Sequence, residues 1–266
     1  MIDSRFDLFS SAPFWAIFVA TLAVVLLAVE GGYNWAKSAR GTTRDKEREK
    51  EAPVGAMVGT VLGLLALMLA FTFSKAGDHY HERRVALFDE ANAIRTMYSR
   101  TILIGEPQRT EIRKLLRDYV NERLLWDGTD NTRSTTTAAA VLDRLSAQTA
   151  AALEKNPGPV VVSMLLGSLN DLVKAHASRR EVSRNRIEGA VWAVLYFIAI
   201  VSLGAMGYHC GVSGTKRSPV MAGVAIVFSL VIVLIVDLDR PGDGWIIVPQ
   251  DAMVDVRNGL VDPKPN

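Results

Sequence analysis

The sequence has a single cysteine, Cys210, among 266 residues. That excludes an internal disulfide and an all-cysteine metal site, and its place at the end of an apolar run marks it as a packing residue. A one-sided charge is missing too. With 30 basic and 28 acidic residues the formal net charge is +2, so no nucleic-acid partner is expected, because such binders carry a clear basic excess. No Walker loop, GxSxG elbow, HExxH or CxxC is present. Those motifs mark the common catalytic classes, and the chain reads as not an enzyme. Strand signals are scarce, the β-branched run 160–162 being the one of note. The start, MIDSRFD, has no basic region of the kind that opens a cleavable secretory signal.

Charge is also missing locally. No charged residue occurs in Leu8–Val29, Ala52–Ser74, Gly189–Thr215 or Ser218–Val236. A hydrocarbon core roughly 30 Å thick is crossed by about 20 residues at about 1.5 Å rise each, and all four runs meet that length. Aromatic residues suited to the two interfaces flank the first run: Phe14 and Trp15 at one end, Tyr33 and Trp35 at the other. The runs therefore predict an integral membrane protein with lipid as its first partner.

The fold class expected is all-α: four transmembrane helices in two pairs, continuous with a helical soluble middle domain. The corresponding boundaries are 1–75 for the first pair, 76–187 for the middle domain, 188–237 for the second pair and 238–266 for a loose tail. A charged turn, RDKEREKE, separates the first two spans, and a helix restarts at Pro53. The second span meets no strong breaker before Gly105 and Pro107, so it is expected to run on into water as far as Ile104. A second middle helix shows an i, i+3, i+4 stripe of Ile112, Leu115, Leu116, Tyr119, Val120 and Leu124. After the polar linker TDNTRSTTT, a third starts near Ser134 with Ala138, Val141, Leu142, Leu145 and Leu153. The break at Asn156–Pro159 precedes a fourth, with Val162, Leu165, Leu166, Leu169 and Val173, expected to continue through RREVSRNR into the third span.

Sidedness stays open. The loop between spans one and two holds six Lys/Arg, and that between three and four holds Lys216 and Arg217. Short loops weigh more in the positive-inside rule and place the middle domain outside the cytoplasm. On the other side Arg83, Arg84 and Arg95 lie near one span and Lys174, Arg179, Arg180, Arg184 and Arg186 near the other, and these juxtamembrane arginines argue the reverse.

Few residues invite chemistry. Gly55, Gly59 and Gly63 recur every four residues, which suits close helix packing between or within chains, although glycine is frequent in membrane helices anyway. Asp78, His81 and Glu82 share a helical face that could hold a divalent metal, or could pair with Arg83 and Arg84. His176 and His209 stand alone, as packing or surface residues do. Asp237 and Asp239 end the fourth run, where they could bind a cation or pair with Arg240.

The run LGLLALMLAFTFSKAGDHYHERR, 62–84, resembles the second helix of bacterial bestrophins: an apolar neck ending in phenylalanine, then D-x-aromatic-aromatic-E-x-R. The counterparts are Phe71, Asp78, Tyr80, His81, Glu82 and Arg84, with His81 departing from the aromatic pair. FDEANAIRTMY, 88–98, and DLDRP, 237–241, are closer still to a bacterial membrane family described as bestrophin-like. That family continues the last motif with an aromatic and a basic residue, where this chain has Gly242 and Asp243. The resemblance implies a pentameric channel in the cell (inner) membrane, inorganic anions as permeant species, and a hydrophobic neck that conducts when wetted. Leu67 and Phe71 would line the neck, with Gly63 and Ser74 continuing the face. It also implies a calcium site near the end of the fourth span, for which Asp237 and Asp239 carry the acidic character. The middle domain and termini would be cytoplasmic, against the loop count. A non-conducting scaffold or sensor, whose helical domain recruits a partner, is the competing reading. It rests on the long amphipathic helices and the absence of charge inside any span.

Overall fold

The computed structural model describes residues 12–39, 51–125, 132–154, 158–213, 219–242 and 244–260. Most of the charged turn after the first span, the linker at 126–131, the break at 155–157, the loop at 214–218, Asp243 and the last six residues lie outside them. Eight α-helices are described: α1 Phe14–Ala39, α2 Glu51–Arg100, α3 Gln108–Leu124, α4 Thr132–Leu153, α5 Pro159–Val182, α6 Gly189–Val212, α7 Pro219–Asp239 and α8 Asp251–Gly259. No strand occurs among the described residues, and the β-branched run 160–162 is the first turn of α5. Helix α2 is continuous from the second span to Arg100 and closes in a 3-10 turn, Thr101–Leu103. Four helices, α1, α2, α6 and α7, are long and apolar enough to cross a membrane.

The chain divides into two compact units, residues 1–77 with 186–240, and 78–185 with 241–266. In the first, α1 packs on α6 and α7. Lipid tails are as apolar as leucine, so helices associate in a bilayer through close packing and hydrogen bonds. Glycines make that approach. A Cβ on Gly32 would meet the Gly204 carbonyl oxygen at 1.9 Å, and one on Gly207 would meet that of Val29 at 2.1 Å. Gly211 is also close, a Cβ there meeting the Ala36 Cβ at 2.5 Å and the Tyr33 carbonyl oxygen at 3.0 Å. Beside this zipper, the Thr21 and Tyr196 hydroxyls bond at 2.7 Å. These glycines went unnoticed in the sequence, where the spacing on the second span drew attention instead.

In the second unit one apolar core gathers α2, α3, α4, α5 and α8. Ile112, Leu116, Tyr119 and Val120 of α3 are fully buried, as are Ala138 and Leu145 of α4. In α5 the buried stripe is Leu165, Leu169 and Leu172, whereas Leu166 and Val173 are exposed. Two expectations need correcting. Helix α5 does not run into the third span: it stops at Val182, and an extended stretch precedes α6. The Asp239 carboxylate accepts the Ile187 N–H in that stretch, replacing the helical bond it would have made. Nor is the tail loose throughout. Helix α8 places Met253 and Val256, and then Leu260, in the core, because i, i+3 and i+7 fall on one face.

The glycine contacts give a test. Gly207→Ala drives a methyl into backbone that cannot swing aside. It should lower stability by about 2 kcal/mol or more, seen as a lower melting temperature in detergent. Gly77→Ala meets nothing within 4 Å and should be neutral, or stabilising by up to about 1 kcal/mol. Equal effects of the two would refute the zipper.

Candidate functional site

Helix α2 is the least covered of the apolar helices. Only 11 % of its most apolar window is buried, against 50 % for α7. Gly63, Leu67, Phe71 and Ser74 are all exposed, and at spacings of four, four and three they fan over one side. Nothing lies within 4 Å of a Cβ added to Gly59 or Gly63. Gly55 is different: the His209 ring of α6 sits against it, Nε2 being 3.1 Å from such a Cβ. The Ser202 hydroxyl of α6 is shared between its own Ile198 carbonyl at 2.6 Å and the Val61 carbonyl of α2 at 3.2 Å. So the face of α2 toward α6 is held at Gly55 and Val61, while the line from Gly63 to Ser74 is open.

Other sequence candidates are placed as follows. Asp78, His81 and Glu82 are exposed, and among the described residues no three His, Cys, Asp or Glu side chains gather as metal ligands. Asp237 and Asp239 are buried at the end of α7, together with Arg240. His176 does not stand alone.

It belongs to a buried polar cluster in the second unit. Glu90 of α2 is 0 % exposed, and around it lie Tyr119 and Arg123 of α3 and His176 and Arg179 of α5, all buried. Arg123 Nε is 2.9 Å from Glu90 Oε1, and its Nη2 donates to Oε2 at 3.0 Å. Arg179 Nη1 donates to the same Oε2 at 2.6 Å, and its Nη2 to the Gln250 amide oxygen at 3.3 Å. The Tyr119 hydroxyl donates to Glu90 and lies 2.8 Å from His176 Nδ1. A phenol has one proton, so with that proton on the carboxylate it accepts from His176, which must carry a hydrogen on Nδ1.

Burial alone would push the Glu90 carboxyl up. The charges of Arg123 and Arg179, with the hydrogen bonds of His176 and Tyr119, outweigh burial and hold it far below the usual carboxylate range. Burial, followed by the Glu90 charge, pushes the Tyr119 phenol well above its usual value. The cluster is thus a fixed carboxylate between two cations. Sequence reading missed it, yet a signal was there. Glu90, Arg123 and Arg179 sit on the apolar stripes of three separate helices, beside Ala91 and Ile94, Tyr119 and Val120, and Leu172 and Ala175. Charges so placed are rarely buried unless paired.

A family model described as the bestrophin-like domain matches residues 14–253. The chain belongs to the bestrophin-like family. Comparison with curated proteins finds no match. Among solved structures, the chain is similar in fold to a bacterial bestrophin homologue from Klebsiella pneumoniae. One crystal structure of a point variant of that homologue gives a TM-score of 0.65 at 14 % identity over 92 % of this chain and 96 % of that one. Another crystal structure gives 0.64 at 14 %, covering 93 % and 97 %. A second variant gives 0.65 at 13 %, covering 94 % and 98 %. At such identity the likeness is one of fold. It makes the all-α arrangement of four apolar helices and helical middle domain that of a bestrophin-like membrane protein.

Glu90→Gln should cost about 3–5 kcal/mol, because two buried guanidinium groups lose their counter-charge. A depressed carboxyl contributes stability that is whole above its unfolded pKa, about 4.3, and is lost as pH falls toward the folded value. The stability gap between wild type and Glu90→Gln should therefore be constant from pH 7 to 5 and narrow steadily below about 4.3. Melting curves across pH read this, and a gap that widens on acidification would refute the assignment.

Proposed function

We propose that this chain is the subunit of a homo-oligomeric ion channel, pentameric as its resemblance implies, lying multi-pass in the cell (inner) membrane. The proposed path runs along α2, with Leu67 and Phe71 as an apolar neck and Gly63 and Ser74 continuing its wall. The observation that carries the reading is the open side of α2: Leu67 is 49 % and Phe71 60 % exposed in the single chain. Several such helices around an axis would cover one another and leave a narrow lumen lined by these residues, which gates by dewetting.

Inorganic anions are the permeant species that the resemblance implies. Asp78 and Glu82 act against that preference. By helical spacing they follow Ser74 on the same side, and carboxylate rings favour cations. Lys75 and Arg84, also exposed, offset part of their field. The reversal potential in a salt gradient decides the sign, and Asp78→Asn with Glu82→Gln should move it toward anion selectivity. An unmoved potential in a conducting preparation would take these carboxylates off the path.

Native mass spectrometry in mild detergent tests the assembly. A pentamer is expected, and a monomer or dimer stable across detergents would remove the axis on which the pore depends. In liposomes Leu67→Ala and Phe71→Ala should each raise flux severalfold by easing wetting of the neck. Unchanged flux in an active preparation would sink the neck assignment.

A further inference from the structure

The acidic turn that closes the fourth span is where the family resemblance would put calcium, and its chemistry does not suit that ion. Calcium takes six to eight oxygen ligands. Asp239 faces an N–H donor instead: both of its oxygens lie 3.1 Å from the backbone nitrogen of Ile187. A guanidinium, itself a cation, is also buried there. Arg240 is 8 % exposed, and beside it Asp237 and Asp239 are 1 % and 6 % exposed.

Arg240 is engaged from two directions. Its Nη2 donates to the Ala12 carbonyl at 2.7 Å. Its guanidinium carbon stands 4.7 Å from the centre of the Phe14 ring, within cation–π range. Ala12 and Phe14 lead into α1, and Ile187 leads into α6. One turn after α7 thus reaches the starts of two other spans, through a cation on one side and a carboxylate on the other. Pro241 and Gly242 follow Arg240, and the φ of 85° at Gly242 lets the chain turn away at once.

We propose that Arg240 serves as a built-in cation at this turn, fixing the entrance of α1 to the end of α7, beside the Asp239 link to the start of α6, without any divalent metal. The carbonyl oxygen of Ala12 is a ligand type that a hard metal ion would use, and the guanidinium already satisfies it. Two carboxylates, at 237 and 239, are buried within three residues of it in the chain, and buried charges of opposite sign are the setting in which a guanidinium is tolerated away from water. A guanidinium cannot dissociate, so the junction is permanent where a metal site would be switchable. The assignment is independent of whether the protein conducts.

The test uses the full-length protein in detergent, with calcium itself as the probe. Wild type should melt at the same temperature in millimolar calcium and in excess EGTA, and should bind no calcium by equilibrium dialysis. A calcium-induced rise of several degrees that disappears in Asp239→Asn would overturn the proposal. Arg240→Gln should lower the melting temperature by about 5 °C or more, with Arg240→Lys regaining part of the loss. Hydrogen exchange adds a local readout. Amides in the first turns of α1 should lose protection in Arg240→Gln while those in the middle of α7 keep it, and unchanged protection at α1 would overturn the tether. Should Arg240→Gln fail to fold, Arg240→Lys and the calcium titration of wild type still decide the matter.

Discussion

Helix α2 has to satisfy two solvents on one uninterrupted rod, and the rest of the structure is arranged around that constraint. Its 50 residues span about 75 Å, more than twice a hydrocarbon core of about 30 Å. The backbone satisfies itself along the whole length, as any segment in lipid must, so the problem passes to the side chains. In the spanning half they find few partners within the chain. Span α1 already packs on α7 and, through glycine contacts and the Thr21–Tyr196 bond, on α6, and α2 touches α6 at Gly55 and at Val61. Its leucines and phenylalanines are left for lipid, for a lumen or for other copies.

In the other half the same helix carries Glu90 into a core, and there the energetics reverse. Removing a carboxylate and two guanidinium groups from water costs several kcal/mol per ion. Their attraction offsets this only with well-made hydrogen bonds, which the two arginines, the tyrosine and the histidine provide. Replacing the whole set by apolar residues of similar volume need not destabilise the fold, because buried ion networks often roughly break even. What an apolar set would lose is directionality. Glu90 accepts from α3 and α5 at once, so a slip of either helix by one residue would leave a buried charge without its partner. The cluster therefore fixes the register of three helices, and Gln250 adds the segment leading to α8 through Arg179.

How much of this the sequence disclosed follows from what periodicity can and cannot report. The four apolar runs and the α3 and α4 stripes were legible, since composition and the 3.6-residue repeat specify them directly. The continuity of α2 was legible because no strong breaker interrupts it before Gly105. The stop of α5 was not, because no proline or glycine marks it, and the partner of the extended stretch that follows, Asp239, approaches Ile187 from 52 residues away. Helix α8 was missed because only Met253, Val256 and Leu260 mark its face, too few for a period to stand out. The Glu90 cluster was missed for a related reason: each of its charges is one residue on its own helix, and the pairing exists only in three dimensions. The family resemblance pointed to Phe71 and to the DLDRP turn, but not to the use that turn makes of its arginine.

Helical geometry also resolves an apparent conflict on α2 between the glycine row and the neck row. Read as one stripe, Gly55, Gly59, Gly63, Leu67 and Phe71 would have to face a packed helix and an open lumen together. At about 100° per residue, however, each step of four advances the direction by about 40°. Gly55 and Phe71 therefore point about 160° apart, on nearly opposite sides of the rod. Gly55 can accept His209 of α6 while Leu67 and Phe71 look away from that neighbour. Gly59 and Gly63 lie on the edge between, where a missing side chain leaves room for another helix to come close. Glycine at that edge and bulk on the open side are what a helix needs if it leans on its own chain at one end and meets further copies along the rest.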